Sequence, residues 1–263
     1  MGADLLYIYC ICDREPQLQE VPGKENLEYL KFDDLYAIVK YVSHDEFSEE
    51  NLKKNFADLA WIEIHARDHI RIIVEVMKSS TVIPFKFGTI FISEERLGNF
   101  VSDYFVSLND NLQHLKGKEE WSVKIYCDRT KLNSQIGEIS PEVRNLEEEI
   151  LRSMPGKAFI LKRKKVDLVE KEVQAAIGHY GQSCYDQLAV LSATTRINNL
   201  LPREVTERTD DMILNASFFV PVEKVGEFLT IIDHSQEKYK EVGFDIEAAG
   251  PWPPFSFISI KEK

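Results

Sequence analysis

From Trp121 onward the chain alternates between strand periodicity and helix periodicity, and this order restricts the possible folds more than any other feature. Trp121, Val123, Ile125 and Cys127 fall on one face of a strand, with Ser122, Lys124 and Tyr126 on the other. A charged helical segment runs from Ser140 to Arg152 and ends near Pro155-Gly156. Lys157 to about Leu191 then reads as one long helix, and Thr194 to Leu200 as a short strand. Met212 to Val220 reads as a strand, Glu223 to Val242 as a helix, and Gly243 to Ala249 as a last strand. In that last strand Phe244, Ile246 and Ala248 would point inward, with Asp245 and Glu247 outward.

This β-α-β-β-α-β order is the split pattern of ferredoxin-like domains. The first half has its own rhythm. Leu5 to Cys12 is apolar or aromatic throughout, as in a strand covered on both faces, and Leu35 to Val42 repeats the signal. Pro16 to Gly23 separates them as a break. Asp45 to Glu50 suits a helix start, and Leu52 to Met77 is predicted as one helix with Phe56, Leu59, Ile62, Ala66, Ile70, Ile73 and Met77 on a stripe. Residues 81–92 are β-rich and interrupted by Pro84 and Gly88, and Ser93 opens a helix that Gly117 ends. The expected fold class is α+β in two domains. Residues 1–118 form the first, 119–250 the ferredoxin-like second, and 251–263 an extended, proline-rich C-terminal tail.

Charge excludes several classes. Forty-four acidic and 32 basic residues give 263 residues a net −12, which repels a phosphate backbone and an anionic membrane surface. The run Lys162-Arg163-Lys164-Lys165 is flanked by Asp167, Glu170 and Glu172 and reads as a solvated helix face. Phe218 and Phe219 lack the basic, glycine-rich surroundings of RNA-stacking aromatics: one is expected in the core, the other against a partner or the tail. No apolar run reaches the length of a membrane span. The start lacks a basic region before its apolar stretch, and Leu6 stands where a myristoylation signal needs Ser or Thr. A cytoplasmic location is the expectation.

Candidate chemistry is sparse. His65 and His69 stand four apart with Asp68 beside them, but Ala66 replaces the glutamate of a zincin helix and no third ligand follows. Packing is the alternative for this pair. Cys10, Cys12, Cys127 and Cys184 have no ligand spacing and read as buried thiols in a reducing compartment. His179 and Cys184 would fall on different helix faces. Neither a nucleophile elbow nor a phosphate loop is present, so no catalytic residue, cofactor or metal is expected.

Several of these segments carry a family likeness. They are LLYIYCIC (5–12), LYAIVKYV (35–42), WIEIHARDH (61–69), VIPFKFGTIF (82–91), Gly117 to Tyr126, PGKAF (155–159) and GPWPPFSF (250–257). In this succession the chain resembles the gas vesicle GvpL/GvpF family over nearly its whole length. The resemblance implies an accessory or minor structural role in building gas vesicles, in the cytoplasm and at the vesicle. It also implies association with the small hydrophobic shell protein GvpA and other accessory proteins, no enzymatic activity, and a modified ferredoxin-like second domain. It does not separate GvpF from GvpL. An acidic companion could keep a hydrophobic shell subunit dispersed. Lys124, Tyr126, Asp245 and Glu247 make the predicted open sheet face polar, so Trp252, Pro253, Pro254 and Phe255 are the better partner-binding candidates. The alternative for that tail is cover for its own domain. A small-molecule-sensing module is the alternative function.

Overall fold

Every position of β1 (Leu5–Cys12) is buried in the computed structural model, which describes residues 5–18 and 26–260. The break expected over Pro16 to Gly23 therefore lies partly outside the described residues. The described residues fall into two compact units, one of residues up to Glu120 together with those from Pro251, the other Trp121–Gly250.

In the first unit β1 lies between β3 (Leu35–Val42) and β4 (Val82–Pro84), with β2 (Leu27–Phe32) outside β3 and β5 (Ile90–Phe91) also pairing with β1. All of these pairings are antiparallel. Opposite β3 the register slips between Ile8 and Cys10, so Tyr9 is the extra residue of a β-bulge. The slip changes the phase of the strand: Leu5, Tyr7 and Tyr9 share one core cluster with Cys10 and Cys12. The strand β2 was not anticipated. Its turn into β3 is Asp33-Asp34, with Asp33 left-handed at φ 52°, a conformation aspartate tolerates.

Residues 52–77 are not one helix. Ser43 caps α1 (His44–Phe47), Ser48 caps α2 (Glu49–Asn55), and Asp58 caps α3 (Leu59–Met77) by accepting from the Ala60 and Trp61 N–H groups. The break rotates the stripe, so that Phe56 and Leu59 are exposed while His69, Ile72, Ile73 and Val76 are buried. Ser93 caps α4 (Glu94–Leu115), and Gly117 follows at φ 70°.

The second unit holds most of β6 (Lys118–Cys127), then α5 (Arg129–Ile139), α6 (Pro141–Arg152), α7 (Pro155–Leu191), β7 (Thr194–Ile197), α8 (Arg203–Thr206), β8 (Asp211–Pro221) and α9 (Val225–Tyr239), and β9 (Phe244–Trp252) as far as Gly250. The sheet order is β7-β8-β6-β9. Val123, Ile125 and Cys127 meet Phe218, Val220, Phe244 and the apolar side of α7 in one core. Helix α5, also unanticipated, adds Leu132 and Ile136 to it.

Three positions differ from the sequence pattern. Phe219 is buried like Phe218, which removes it as a stacking surface. Ala248 is exposed, because the core ends at Ile246. Tyr126 is buried on the face expected to be open, beneath the Arg208 guanidinium 4.0 Å from its ring centre. Arg208 is held there by Asp210, Asp245 and Glu247. Strand β9 also runs through Pro251 into Trp252, which its edge position permits because an edge proline forfeits no ladder bond.

Candidate functional site

His69 is 1% exposed and both ring nitrogens are engaged. Nε2 lies 2.9 Å from the Phe85 carbonyl oxygen, which can only accept, so Nε2 carries the proton. Nδ1 then accepts from the Tyr7 hydroxyl at 2.8 Å, and the Tyr7 oxygen in turn accepts from the Gly88 N–H at 3.2 Å. Burial holds the imidazole near pKa 4, well below its ordinary value, partly offset by the Phe85 carbonyl, and keeps it neutral. The ring also stacks on Tyr9. One histidine thus ties β1, α3 and the Phe85–Gly88 turn together, and it has no lone pair left for a metal.

His65 faces elsewhere. Its Nδ1 donates to the Trp61 carbonyl oxygen at 2.9 Å and its ring stacks on the Trp61 indole. Nε2 lies 3.5 Å from a Glu46 carboxylate oxygen, which also accepts from Trp61 Nε1. Among the described residues no group of three His, Cys, Asp or Glu could hold an ion. Beside this cluster a cavity of about 260 Å³ is walled by Tyr9, Lys40, Tyr41, Glu46, His65 and Asp68 among others.

Nucleophiles fare similarly. All four cysteines are free and buried. Burial raises the Cys12 thiol to about 12 and those of Cys127 and Cys184 to about 11, so they remain protonated. His179 is exposed while Cys184 is buried, so the two form no catalytic pair.

The partner-binding candidates fall into two kinds. Pro253 and Pro254 are buried, whereas Trp252 is 42% and Phe255 38% exposed. The following residues are anchored in the first unit. The Ser256 N–H and hydroxyl donate to the buried Glu120 carboxylate at 3.0 and 2.5 Å. Asn111 exchanges two hydrogen bonds with the Ser259 backbone at 3.0 and 2.9 Å. The backbone directly after the two aromatic rings is therefore held at Ser256 and Ser259. Sequence reasoning selected these four residues but missed Glu120 and Asn111; Asn111 is marked by its place among the buried Leu108, Leu112 and Leu115, while Glu120 lies on a polar strand face and carries no local signal. No helix among the described residues is long and apolar enough to cross a membrane.

The family profile for gas vesicle synthesis protein GvpL/GvpF matches residues 5–259. Gas vesicle protein L of Streptomyces sp. (strain CB03234) is 24% identical over 92% of this chain and 86% of its own. Gas vesicle protein F1 of Halobacterium salinarum is 25% identical over 97% of this chain and 93% of its own. The crystal structure of GvpF from Anabaena sp. PCC7120 has the same fold, with a TM-score of 0.69 at 19% identity over 98% of both chains. That of GvpF from Microcystis aeruginosa has a TM-score of 0.62 at 20% identity, over 97% of this chain and 99% of that one.

Proposed function

Because the chain belongs to the gas vesicle synthesis protein GvpL/GvpF family, we propose that it serves gas vesicle assembly by binding rather than catalysis. Its partners are the hydrophobic shell protein GvpA and other gas vesicle accessory proteins, met in the cytoplasm and at the vesicle. The sheet order β7-β8-β6-β9, with α5 to α7 leading from β6 to β7 and α9 from β8 to β9, supports reading residues 119–250 as a ferredoxin-like domain beside a first domain of 1–118 and a tail of 251–263.

The observation that carries the binding role is the Trp252–Phe255 pair. Two large rings stand partly exposed while the prolines between them are buried and Ser256 is bonded to Glu120. Such a pair loses little conformational entropy on docking, and aromatic anchors dominate interface energetics. A net charge of −12 keeps the carrier soluble while it holds an apolar client.

The test is the double variant Trp252→Ala/Phe255→Ala, assayed for capture of the shell protein and for melting temperature. Capture lost by roughly tenfold or more with melting unchanged supports the reading, given that hot-spot aromatics each carry about 2 kcal/mol. Unchanged capture with lowered melting temperature shows that the tail only covers its own unit.

One observation favours a sensing role instead. A cavity of about 450 Å³ in the second unit is lined by Ile177, Leu201, Met212, Arg129 and Arg203 among others, a size that suits a small ligand. Both arginines are already paired with Asp211. A metabolite that raises the melting temperature of the whole protein would support sensing, and an empty screen would count against it.

A further inference from the structure

The tip of the α6–α7 hairpin departs from the rest of the molecule in charge and in exposure. Residues 151–166 carry six basic side chains and no acidic one, a local +6 on a chain of net −12, so the remainder carries −18. The same stretch exposes Leu151, Met154, Phe159, Ile160 and Val166, each between 58% and 85%. Exposed apolar side chains and cations thus share one short stretch of the hairpin, a combination that marks interaction sites.

Helical geometry separates an inner row from an outer one. Leu161, Lys165 and Leu168 (i, i+4, i+7) turn inward, with Leu161 buried and Lys165 reaching Glu147 of α6 at 2.6 Å. Phe159, Arg163 and Val166, with the same spacing, lie on the opposite side and are exposed. Lys157 pairs with Glu149 at 2.8 Å, so two cross-helix ion pairs brace the tip. Lys162, Arg163 and Lys164 make no ion pair among the described residues. Three of the four cations in the run that reads from sequence as a solvated face, Lys162, Arg163 and Lys164, thus form a cationic edge without ion pairs beside exposed apolar side chains.

We infer that this tip docks an acidic, apolar-faced helix of another protein. The outer row spans about 10 Å, two helical turns, which matches the i, i+3/i+4, i+7 anchors by which one helix lies on another. Charge complementarity selects the occupant: carboxylates flanking an apolar stripe would neutralise Lys162, Arg163 and Lys164 while the stripe covers Phe159 and Val166. An anionic lipid surface offers the same charge, but it would repel the −18 carried by the rest of the chain. The proposal uses none of the residues assigned to shell binding, and it stands whether or not Trp252 and Phe255 bind the shell protein.

The test titrates the full chain into a fluorescein-labelled helical peptide with leucine at the a and d positions of each heptad and glutamate at the flanking positions, read by anisotropy. Saturable binding that weakens with added salt is expected. Lys162→Glu/Lys164→Glu and, separately, Phe159→Ser/Ile160→Ser should each weaken it roughly tenfold or more, as loss of interface anchors does. Lys54→Glu, an equal charge change on α2, should leave it unaltered. All substituted side chains are exposed, and circular dichroism confirms that each variant is folded. Absence of peptide binding, or affinity in either tip variant unchanged from that of the unsubstituted chain, overturns the proposal. It is also overturned if phosphatidylserine vesicles bind and the peptide does not, or if the tip variants abolish only self-association in sedimentation.

Discussion

Tyr7 and His69, sixty-two positions apart, are joined by a 2.8 Å hydrogen bond in the core of the first unit. The Tyr7 hydroxyl is at once the donor to His69 and the acceptor of the Gly88 N–H. One of the two histidines that stand as metal candidates in sequence is therefore the knot that fastens the turn containing Phe85 and Gly88. Its conservative replacement should cost stability and leave any metal content unchanged.

His69→Ala would strand the Tyr7 hydroxyl and the Phe85 carbonyl in the core and open a cavity. A loss of about 2–4 kcal/mol is expected from these combined effects, measured by urea denaturation. In a double-mutant cycle with Tyr7→Phe the two losses should be less than additive, because they remove the same bond.

Acid should find this residue first. The folded pKa lies near 4, below the ordinary 6.5, so the unfolded chain binds the proton more readily. Stability from neutral His69 is full above about pH 6.5 and declines as pH falls towards 4, by up to about 3 kcal/mol at the lower end. Unfolding measured from pH 7 to 4 should show that slope, and His69→Gln should flatten it.

Gly88→Ala is expected to destabilise by about 1–2 kcal/mol, because a left-handed φ of 79° strains any residue with a Cβ. The added atom would also stand 2.6 Å from the Phe56 ring tip. Phe56 is exposed and can swing aside, so most of the cost stays in the backbone. Thermal unfolding of Gly88→Ala beside Gly88→Ala/Phe56→Ala separates the two: relief of most of the loss by the second change would contradict the strain account.

Glu120→Ala removes the acceptor of the Ser256 N–H and hydroxyl. Hydrogen exchange of residues 251–260 should accelerate severalfold, with a global cost of about 1–3 kcal/mol for the unsatisfied donor. Unchanged exchange there would mean that the buried prolines and the Asn111–Ser259 bonds hold the tail without Glu120.

Arg208→Ala uncovers Tyr126 and leaves Asp210, Asp245 and Glu247 without their shared cation. Burial pushes the Asp245 carboxyl up, yet Arg208 and Gln236 bring it below its usual range overall. Its stabilisation is present above the ordinary carboxylate pKa and lost as pH falls through the folded one. The variant should be less stable at neutral pH by about 1–2 kcal/mol and should lose less on acidification. A parallel pH profile would contradict this.

Leu5–Cys12 and Leu35–Val42 were legible in sequence because burial leaves a nearly continuous apolar run, and Trp121–Cys127 because one face alternates with the other. Leu27–Phe32 escaped because only Leu27 is fully buried and charges interrupt it; the Asp33-Asp34 turn was the available signal. The helix break at Asp58 escaped for another reason. Apolar periodicity continues across it, and only the capping aspartate marks the new start. Burial of Tyr126 depends on Arg208, eighty-two residues away, which no local pattern reveals. In the candidate site the aromatic tail was readable from its prolines, but its anchors were not, because Glu120 and Asn111 are distant in sequence from Ser256 and Ser259.

The most direct measurement is co-expression of the tagged full chain with the small shell protein, followed by purification of the soluble fraction. Binding in support of assembly predicts that the shell protein, insoluble when expressed alone, co-elutes with the tagged chain. Shell protein that stays insoluble, or is soluble without co-eluting, would contradict direct binding as the way this protein serves the vesicle.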